Sequence, residues 1–437
     1  MKLKSMTLTA LLLVLAVIGT ACRGNSNSIV NDSSPAGATA EPAPTLKIFN
    51  FKVEMAEQLD TLVKRYQEET DVNIEVDTCG GGCDYSAGLK TKFNSGDKPD
   101  IFFVAGYTDL ELWQEYLEDL SDQPWVGDML DLAKPAITKD GKIYGMPLAL
   151  EGWGFIYNKD LFRQAGINST PATLTQLREA ADKLRAAGIR PFENGYAEWW
   201  ILGNHLLNTA FAQQPDPLAF IERLKNGSAA LTDNTIFKEW TNLIDLTVEY
   251  GQPNPLQTDY YTQVANFANG RAAMMQQGTW TQLQLDKLHP NLNIGFLPMP
   301  INDDTKAMNK LPVGVANYWV VLKNSRTEEE AKAFLRWLVS SRTGQAFIVD
   351  DAKLIPAFRS IPATEAQLGP LSGEILSYIK EGKTLPWLWQ LYPGYEANTW
   401  QMATQIQSYI GKKIGKEKML QEFQNIWDDM SVKEANE

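Results

Sequence analysis

The stretch from Leu46 to Ala105 constrains the fold most, because its apolar residues change period from 2 to about 3.6 and back again. Leu46 to Phe51 alternates as a strand, Met55, Leu59, Leu62, Val63 and Tyr66 fall on one helical face, and Val72, Ile74 and Val76 form the next strand. Pro99 to Ala105, reading P-D-I-F-F-V-A, then adds a nearly continuous apolar run, the kind buried on both faces of a parallel sheet. A helix is expected from about Asp109 to Leu120. This order of elements predicts an α/β layer fold whose ligands sit at the carboxyl ends of the strands. Those ends are Asn50 with Phe51, the Asp77 to Tyr85 loop that contains Asp84, and Gly106 with Tyr107.

A second informative stretch, Gly141 to Asp160, reads G-K-I-Y-G-M-P-L-A-L-E-G-W-G-F-I-Y-N-K-D. Tyr144, Met146 and Leu148 alternate as in a half-buried strand, and Phe155, Ile156 and Tyr157 make a second β-rich run. Glu151 and Trp153 stand at the break between them, flanked by Gly152 and Gly154. Two readings are open for this stretch: an ordinary hairpin with a packed Trp, or a strand leaving one domain for another with a carboxylate and an indole facing a ligand. Beyond Asp160 the chain turns largely helical. Thr173 with Gln176 and Thr327 with Glu330 are expected capping boxes. Amphipathic stretches run from about Trp199 to Ala212, Thr235 to Tyr250 and Tyr260 to Asn269, and apolar strands return at Ala272 to Met275, Ile294 to Leu297 and Tyr318 to Leu322. Two helices between Ala397 and Asp429 close the chain.

With 437 residues, 44% hydrophobic and 21% charged, the chain has the length and composition for two or more folded domains. Its formal net charge of −13 repels phosphate backbones and anionic lipid, and without a basic run carrying interleaved aromatics, nucleic acid is not an expected partner. Residues 1–22 have the make-up of a signal peptide: Lys2 and Lys4 precede an apolar run, Leu8 to Ile18, too short to span a bilayer. The run ends in Gly19-Thr20-Ala21-Cys22, which resembles the lipobox of bacterial lipoproteins, whose cysteine is acylated. Gly19 stands where that pattern favours Leu, and a small-x-Ala site for ordinary secretion remains the alternative. Residues 23–45 are polar, Pro-rich and without period, a flexible tether of about 25 Å mean span. The membrane is therefore expected to be met only through the lipid on Cys22, on its outer, periplasmic or extracellular side.

In an exported domain Cys79 and Cys83 are expected to pair as a short-loop disulfide. His205 and His289 are too far apart in sequence for metal-ligand spacing, so no metal and no cofactor are expected. A phosphate-cradling loop and a nucleophile elbow are both missing from the sequence. A pair of carboxylates stays open, because the 53 Asp and Glu allow many. The 13 Trp and 15 Tyr are more telling. Flat aromatic faces pack against the C–H faces of sugar rings while carboxylates accept hydroxyl hydrogen bonds. Trp153, Trp199, Trp200, Trp280, Trp319, Trp387, Trp389 and Trp400 form the pool, shared between core and cleft.

Phe267 to Trp280, reading F-A-N-G-R-A-A-M-M-Q-Q-G-T-W, resembles the extracellular solute-binding proteins of bacterial ABC importers, in particular the sugar-binding, maltose-binding-protein-like group. P-L-A-L-E-G-W-G-F-I-Y-N-K-D-L from Pro147 is similar to that family's first crossover between lobes. The resemblance covers about Leu46 to Met430. It implies a two-lobe, type II-like periplasmic-binding-protein fold, each lobe a mostly parallel sheet flanked by helices, with a hinge between lobes that are discontinuous in sequence. The N-terminal lobe would comprise 46–150 and 305–345, the C-terminal lobe 151–304 and 346–437. It further implies a monomeric, non-enzymatic subunit that takes a carbohydrate of oligosaccharide size and serves an ABC permease. Its ligand positions fall on Glu151, Trp280, the cluster Glu198-Trp199-Trp200, and either Tyr395 or Trp400. Asn50, Asp84, Tyr107, Trp153 and Tyr318 complete the candidate set. Val104 to Tyr107 and the Cys79 to Cys83 loop depart from maltose-binding protein, which argues against maltose as ligand. An exported glycoside hydrolase, or a binder of a non-sugar solute on the same scaffold, are the alternatives.

Overall fold

The computed structural model describes residues 45–80 and 83–434; the signal segment with Cys22 and the tether up to residue 44 lie outside the described residues. The alternation from Leu46 becomes strand β1 (Leu46–Asn50), parallel to both β2 (Ile74–Thr78) and β3 (Ile101–Val104). The connecting helix, Ala56–Thr70, buries Leu59, Leu62, Val63 and Tyr66 and stops at Asp71, whose φ of 61° is left-handed. All of β3 is buried, as its unbroken apolar run requires. The helix expected to reach Leu120 spans only Thr108–Trp113 and a 3-10 turn, Gln114–Tyr116. Leu117 bridges to Leu322 and the Glu118 amide donates to the Val321 carbonyl at 2.9 Å, so the sheet edge draws the backbone out of the helix.

After a hairpin of β4 (Thr138–Lys139) and β5 (Lys142–Ile143), the chain forms β6 (Met146–Pro147) and then β7 (Glu151–Asn158). Strands β8 (Phe192–Glu193), β9 (Met274–Gly278), β10 (Ile294–Leu297), β11 (Leu311–Gly314), β12 (Tyr318–Val321) and β13 (Thr384–Leu385) follow. Among the described residues they make two main sheets, ordered β2-β1-β3-β12-β6 and β13-β11-β7-β9-β8, with β10 also on β7. Since β6 and β7 belong to different sheets, Gly141 to Asp160 is a crossover and not a hairpin. Glu151 and Trp153 lie inside β7 and not at the break, which is Leu148 to Leu150. The half-buried alternation expected there is replaced by burial of every residue from Ile143 to Asn158.

The fold is two-lobed α/β, but the sheets are mixed where largely parallel ones were expected. Strand β12 is antiparallel to β3 and β6, and β7 is antiparallel to β9, β10 and β11. In the first sheet the returning strand β12 runs against its neighbours, and in the second the entering strand β7 does, while β11 is parallel to β13. β11 lies in the second sheet although the segment 305–345 was expected in the first lobe. Conversely, Ile355 bridges Leu150 and Phe358 bridges Met129, and both side chains lie in the core that holds β1, β3 and β12. The helix Glu365–Lys380 then packs on β7, β10 and β11. Its residue Ile375 fills the space over Gly152, where an added Cβ would stand 2.3 Å from the Ile375 side chain.

Local signals were realised unevenly. Thr173 Oγ1 accepts from the Gln176 amide at 3.2 Å, but Gln176 reaches the Ala172 amide instead of closing the box. The box expected at Thr327 and Glu330 does not form: Thr327 has φ −116° and ψ 25°, outside the extended geometry of a capping residue, and its hydroxyl is unpaired. A full capping box stands at Thr364 and Gln367. Ile201–Ala212 is buried on all sides where an amphipathic helix was expected, and its first part, Ile201–Leu206, is a π-helical turn. Cys79 and Cys83 form the disulfide at the end of β2, with Cα atoms 5.6 Å apart.

Candidate functional site

The two lobes meet along a seam that begins at the turn after β1. Asn50 Oδ1 accepts from the Lys52 amide at 3.0 Å, and its Nδ2 donates to the Lys52 carbonyl and to Thr78 Oγ1, both at 3.2 Å. Asn50 is thus fully buried and committed to shaping this turn, a placement inside the fold where a ligand-facing one was expected. The turn aims Lys52 across the seam. Its Nζ donates to Glu151 Oε1 at 2.6 Å, lies 3.5 Å from Glu54 Oε1, and stands 5.8 Å above the Trp280 ring centroid. Lys52 and Glu151 are only 6% and 3% exposed. Burial alone would lower the lysine pKa, but Glu151 and Glu54 outweigh it and carry it above the ordinary value; burial raises that of Glu54. Such a pair fixes geometry more than it adds net stability, since both charges leave water.

Beside this pair runs an aromatic band. Trp280 stands edge-on to Trp200, with centroids 6.2 Å apart, and Trp200 stands in the same way to Tyr260 at 5.8 Å. His205 occupies the middle: stacked on Trp153 at 5.1 Å, 5.0 Å from Trp280, edge-on to Trp200 at 5.3 Å, and 6.3 Å from Trp387. Trp387, Trp389 and Tyr395 continue the band, the last two stacked at 5.1 Å. A polar frame holds it. Glu198 accepts from Trp200 Nε1 at 3.2 Å and from the Tyr260 amide at 3.0 Å. Trp280 Nε1 donates to Gln277, whose amide donates to Gln263, whose amide donates to the Glu193 carbonyl. Gly278 is required here, because a Cβ would meet the Trp280 ring at 2.1 Å.

At the far end of the band the turn Trp389–Leu391 leads into the helix Tyr395–Ile410. Gln390 Nε2 donates to the carbonyls of Ala105, Val315 and Ala316, and its own carbonyl accepts from Thr108 Oγ1 at 3.1 Å. Burial pushes the Asp109 carboxyl up to about 6, against the lowering effect of the Ala105 amide it accepts at 2.7 Å. Glu396 is also raised, by burial first.

The candidates divide by position. Trp199, Trp200, Trp280, Tyr395, Glu198 and Tyr107 are half-buried along the seam, and Glu151 lies under it. Trp153 is fully buried beneath His205, and Tyr318 is 1% exposed between β3 and β6; both are interior packing where ligand-facing positions were expected. Asp84 is exposed and caps the helix Tyr85–Ser95 through the Ala87 amide at 3.0 Å. Of Tyr395 and Trp400, Tyr395 stacks on Trp389 within the band, whereas Trp400 is 53% exposed. Sequence reasoning missed Lys52, Glu54, His205, Asp109 and Glu396. The π-helical turn that carries His205 has no sequence signature, and Lys52 follows a strand end already singled out.

This chain belongs to the bacterial extracellular solute-binding protein family, whose model matches residues 52–345. It is similar to the multiple sugar-binding protein of Streptococcus mutans, 24% identical over 328 residues that cover 72% of this chain and 76% of that one. A putative binding protein of Brucella abortus is 26% identical over 268 residues, which cover 57% of this chain and 60% of that protein. The solute-binding protein RafE, solved in complex with raffinose, shares the fold with a TM-score of 0.75 at 21% identity, covering 89% of this chain and 100% of that one. Among the described residues no helix is long and apolar enough to cross a membrane.

Proposed function

We propose that this protein captures a carbohydrate, an oligosaccharide by the length of the aromatic band, between its lobes and presents it to an ABC permease without chemical change. The observation that carries the reading is the band from Tyr260 through Trp200 and Trp280 to Tyr395, bordered by Glu198 and Glu151. Indole faces supply apolar stacking area and the carboxylates accept from hydroxyls, which together match a sugar's two kinds of surface. Sugar-binding relatives of the same family support it. Ligand held by both lobes favours the conformation in which both make contact, and a permease would read that state. The partners are the permease subunits, supplied by other chains. The protein acts as a monomer, exported and held to the outer membrane face by lipid on Cys22.

The lobe assignment that goes with this reading places the crossings at Leu148 to Leu150, at Gly314 to Tyr318 and after Phe358, with β11 in the second lobe. A panel of raffinose, stachyose, maltotriose and shorter sugars tests the function by melting temperature and calorimetry, since a ligand of the folded form raises the melting point. Saturable 1:1 binding with the sugar recovered intact is expected. Steady release of cleaved product would replace the reading with that of a glycoside hydrolase, and a response only to non-sugar solutes would refute the carbohydrate.

A further inference from the structure

His205 is 6% exposed, yet its ring has no hydrogen-bond partner among the described residues. Four indoles surround it: Trp153 beneath, Trp200 at its edge, Trp280 beside it and Trp387 beyond. A neutral imidazole carries one donor and one acceptor, and leaving either unmade in a buried position opposes folding. A packing role would be met at lower cost by Phe. Neither ring nitrogen is among the fully sealed polar atoms without partners, as the indole nitrogens of Trp153, Trp387 and Trp389 are. Neighbouring Asn204 differs: its Oδ1 is fully sealed without a partner, while its side chain hydrogen-bonds to Tyr395. His205 is therefore buried on a π-helical turn with unused hydrogen-bonding capacity beside Trp280. Single-turn π-bulges concentrate at functional positions because they re-aim consecutive side chains.

We propose that His205 is a ligand-binding residue, its neutral imidazole exchanging hydrogen bonds with hydroxyls of the sugar ring that stacks on Trp280. The inference rests on the carbohydrate reading above and assigns within it the polar contact that sets specificity. A hydroxyl suits this group because it both donates and accepts, as neutral imidazole does, whereas an ammonium could use only the acceptor and a carboxylate only the donor. The surroundings keep the ring neutral. Burial, and then the Lys52 ammonium, lower its pKa to about 3, and Glu54 and Glu151 are engaged by that same lysine.

The test compares the wild type with His205→Phe and His205→Gln, using the tightest-binding sugar from the raffinose, stachyose and maltotriose panel. His205→Phe is expected to weaken binding by about 10–100-fold while the melting temperature of the free protein holds or rises. His205→Gln, which keeps a donor and an acceptor, is expected to retain most of the affinity. From pH 5 to 8 the affinity of His205→Gln should follow the same pH profile as the wild type, because the ring does not titrate there. Wild-type affinity in His205→Phe would overturn the assignment and leave the carbohydrate reading standing. Failure of the wild type to bind any sugar would overturn both. Should His205→Phe not fold, loss of affinity without loss of stability in His205→Ala would support the assignment, and unchanged affinity there would overturn it.

Discussion

Replacing Lys52 with Met tests whether the seam is organised around a buried charge. The substitution keeps the length and apolar character of the stem and removes only the ammonium, which lies 2.6 Å from Glu151 and 3.5 Å from Glu54. Two buried carboxylates then face each other with no cation between them, and breaking a buried pair from one side costs about 3–5 kcal/mol. At roughly 2–4 °C per kcal/mol for a unit of 150–250 residues, the melting temperature falls by on the order of 10 °C. The sign with pH follows from Glu54. Burial already raises its folded pKa above the unfolded value, so its ionisation opposes folding as pH rises through the folded pKa. Without Lys52 the influence that lowers that pKa is gone, and the deficit grows further with pH. Calorimetric melts at pH 5 and pH 8 should therefore show a smaller gap between variant and wild type at pH 5. The double variant Lys52→Met with Glu151→Gln should recover part of the loss, which closes a thermodynamic cycle on the pair. Equal stability of Lys52→Met and wild type, or a deficit independent of pH, would refute this account.

Three further outcomes are expected. Tyr395→Ala should weaken sugar binding about tenfold or more by calorimetry, whereas Trp400→Ala, at an exposed position, should change affinity little and stability by less than about 0.5 kcal/mol. Replacing both Cys79 and Cys83 with Ser opens a loop with a sequence separation of 4 and should cost about 2 kcal/mol in urea unfolding, a loss that reduction of the wild type reproduces. Asp109 has a folded pKa of about 6, above its unfolded value, so its contribution to stability declines as pH rises from about 4 to about 6. Asp109→Asn, which keeps an acceptor for the Ala105 amide, should remove that decline from stability measured against pH.

Periodicity made the first sheet legible from Leu46 to Val104, because its strands and first helix are short-range patterns facing a single core. The direction of β11 and β12 was not legible, since it depends on which lobe the returning chain enters. Thr327 shows the same limit on a smaller scale: T-x-x-E is present, but the backbone of the preceding turn does not place the threonine to cap. At the candidate site, Glu151 stood out between glycines and Trp200 and Trp280 within the aromatic pool, while Glu198 entered only through the family resemblance. Lys52 and His205 were not, because their roles arise from burial among residues that are distant in sequence. His205 took its place through a π-helical turn and Lys52 through a turn shaped by Asn50, and neither leaves a pattern in residue type alone.

Strand β12, at residues 318–321, lies between β3 and β6 in the first sheet, and β13, at 384–385, completes an edge of the second. A chain emerging from its N-terminus can therefore finish neither sheet until most of its length has appeared. Its pairings are long-range in sequence, so closure of each sheet waits on the late arrival of its last strand. Neither lobe can therefore complete its sheet independently of the other's sequence, and the two become whole only when the last third of the chain is in place.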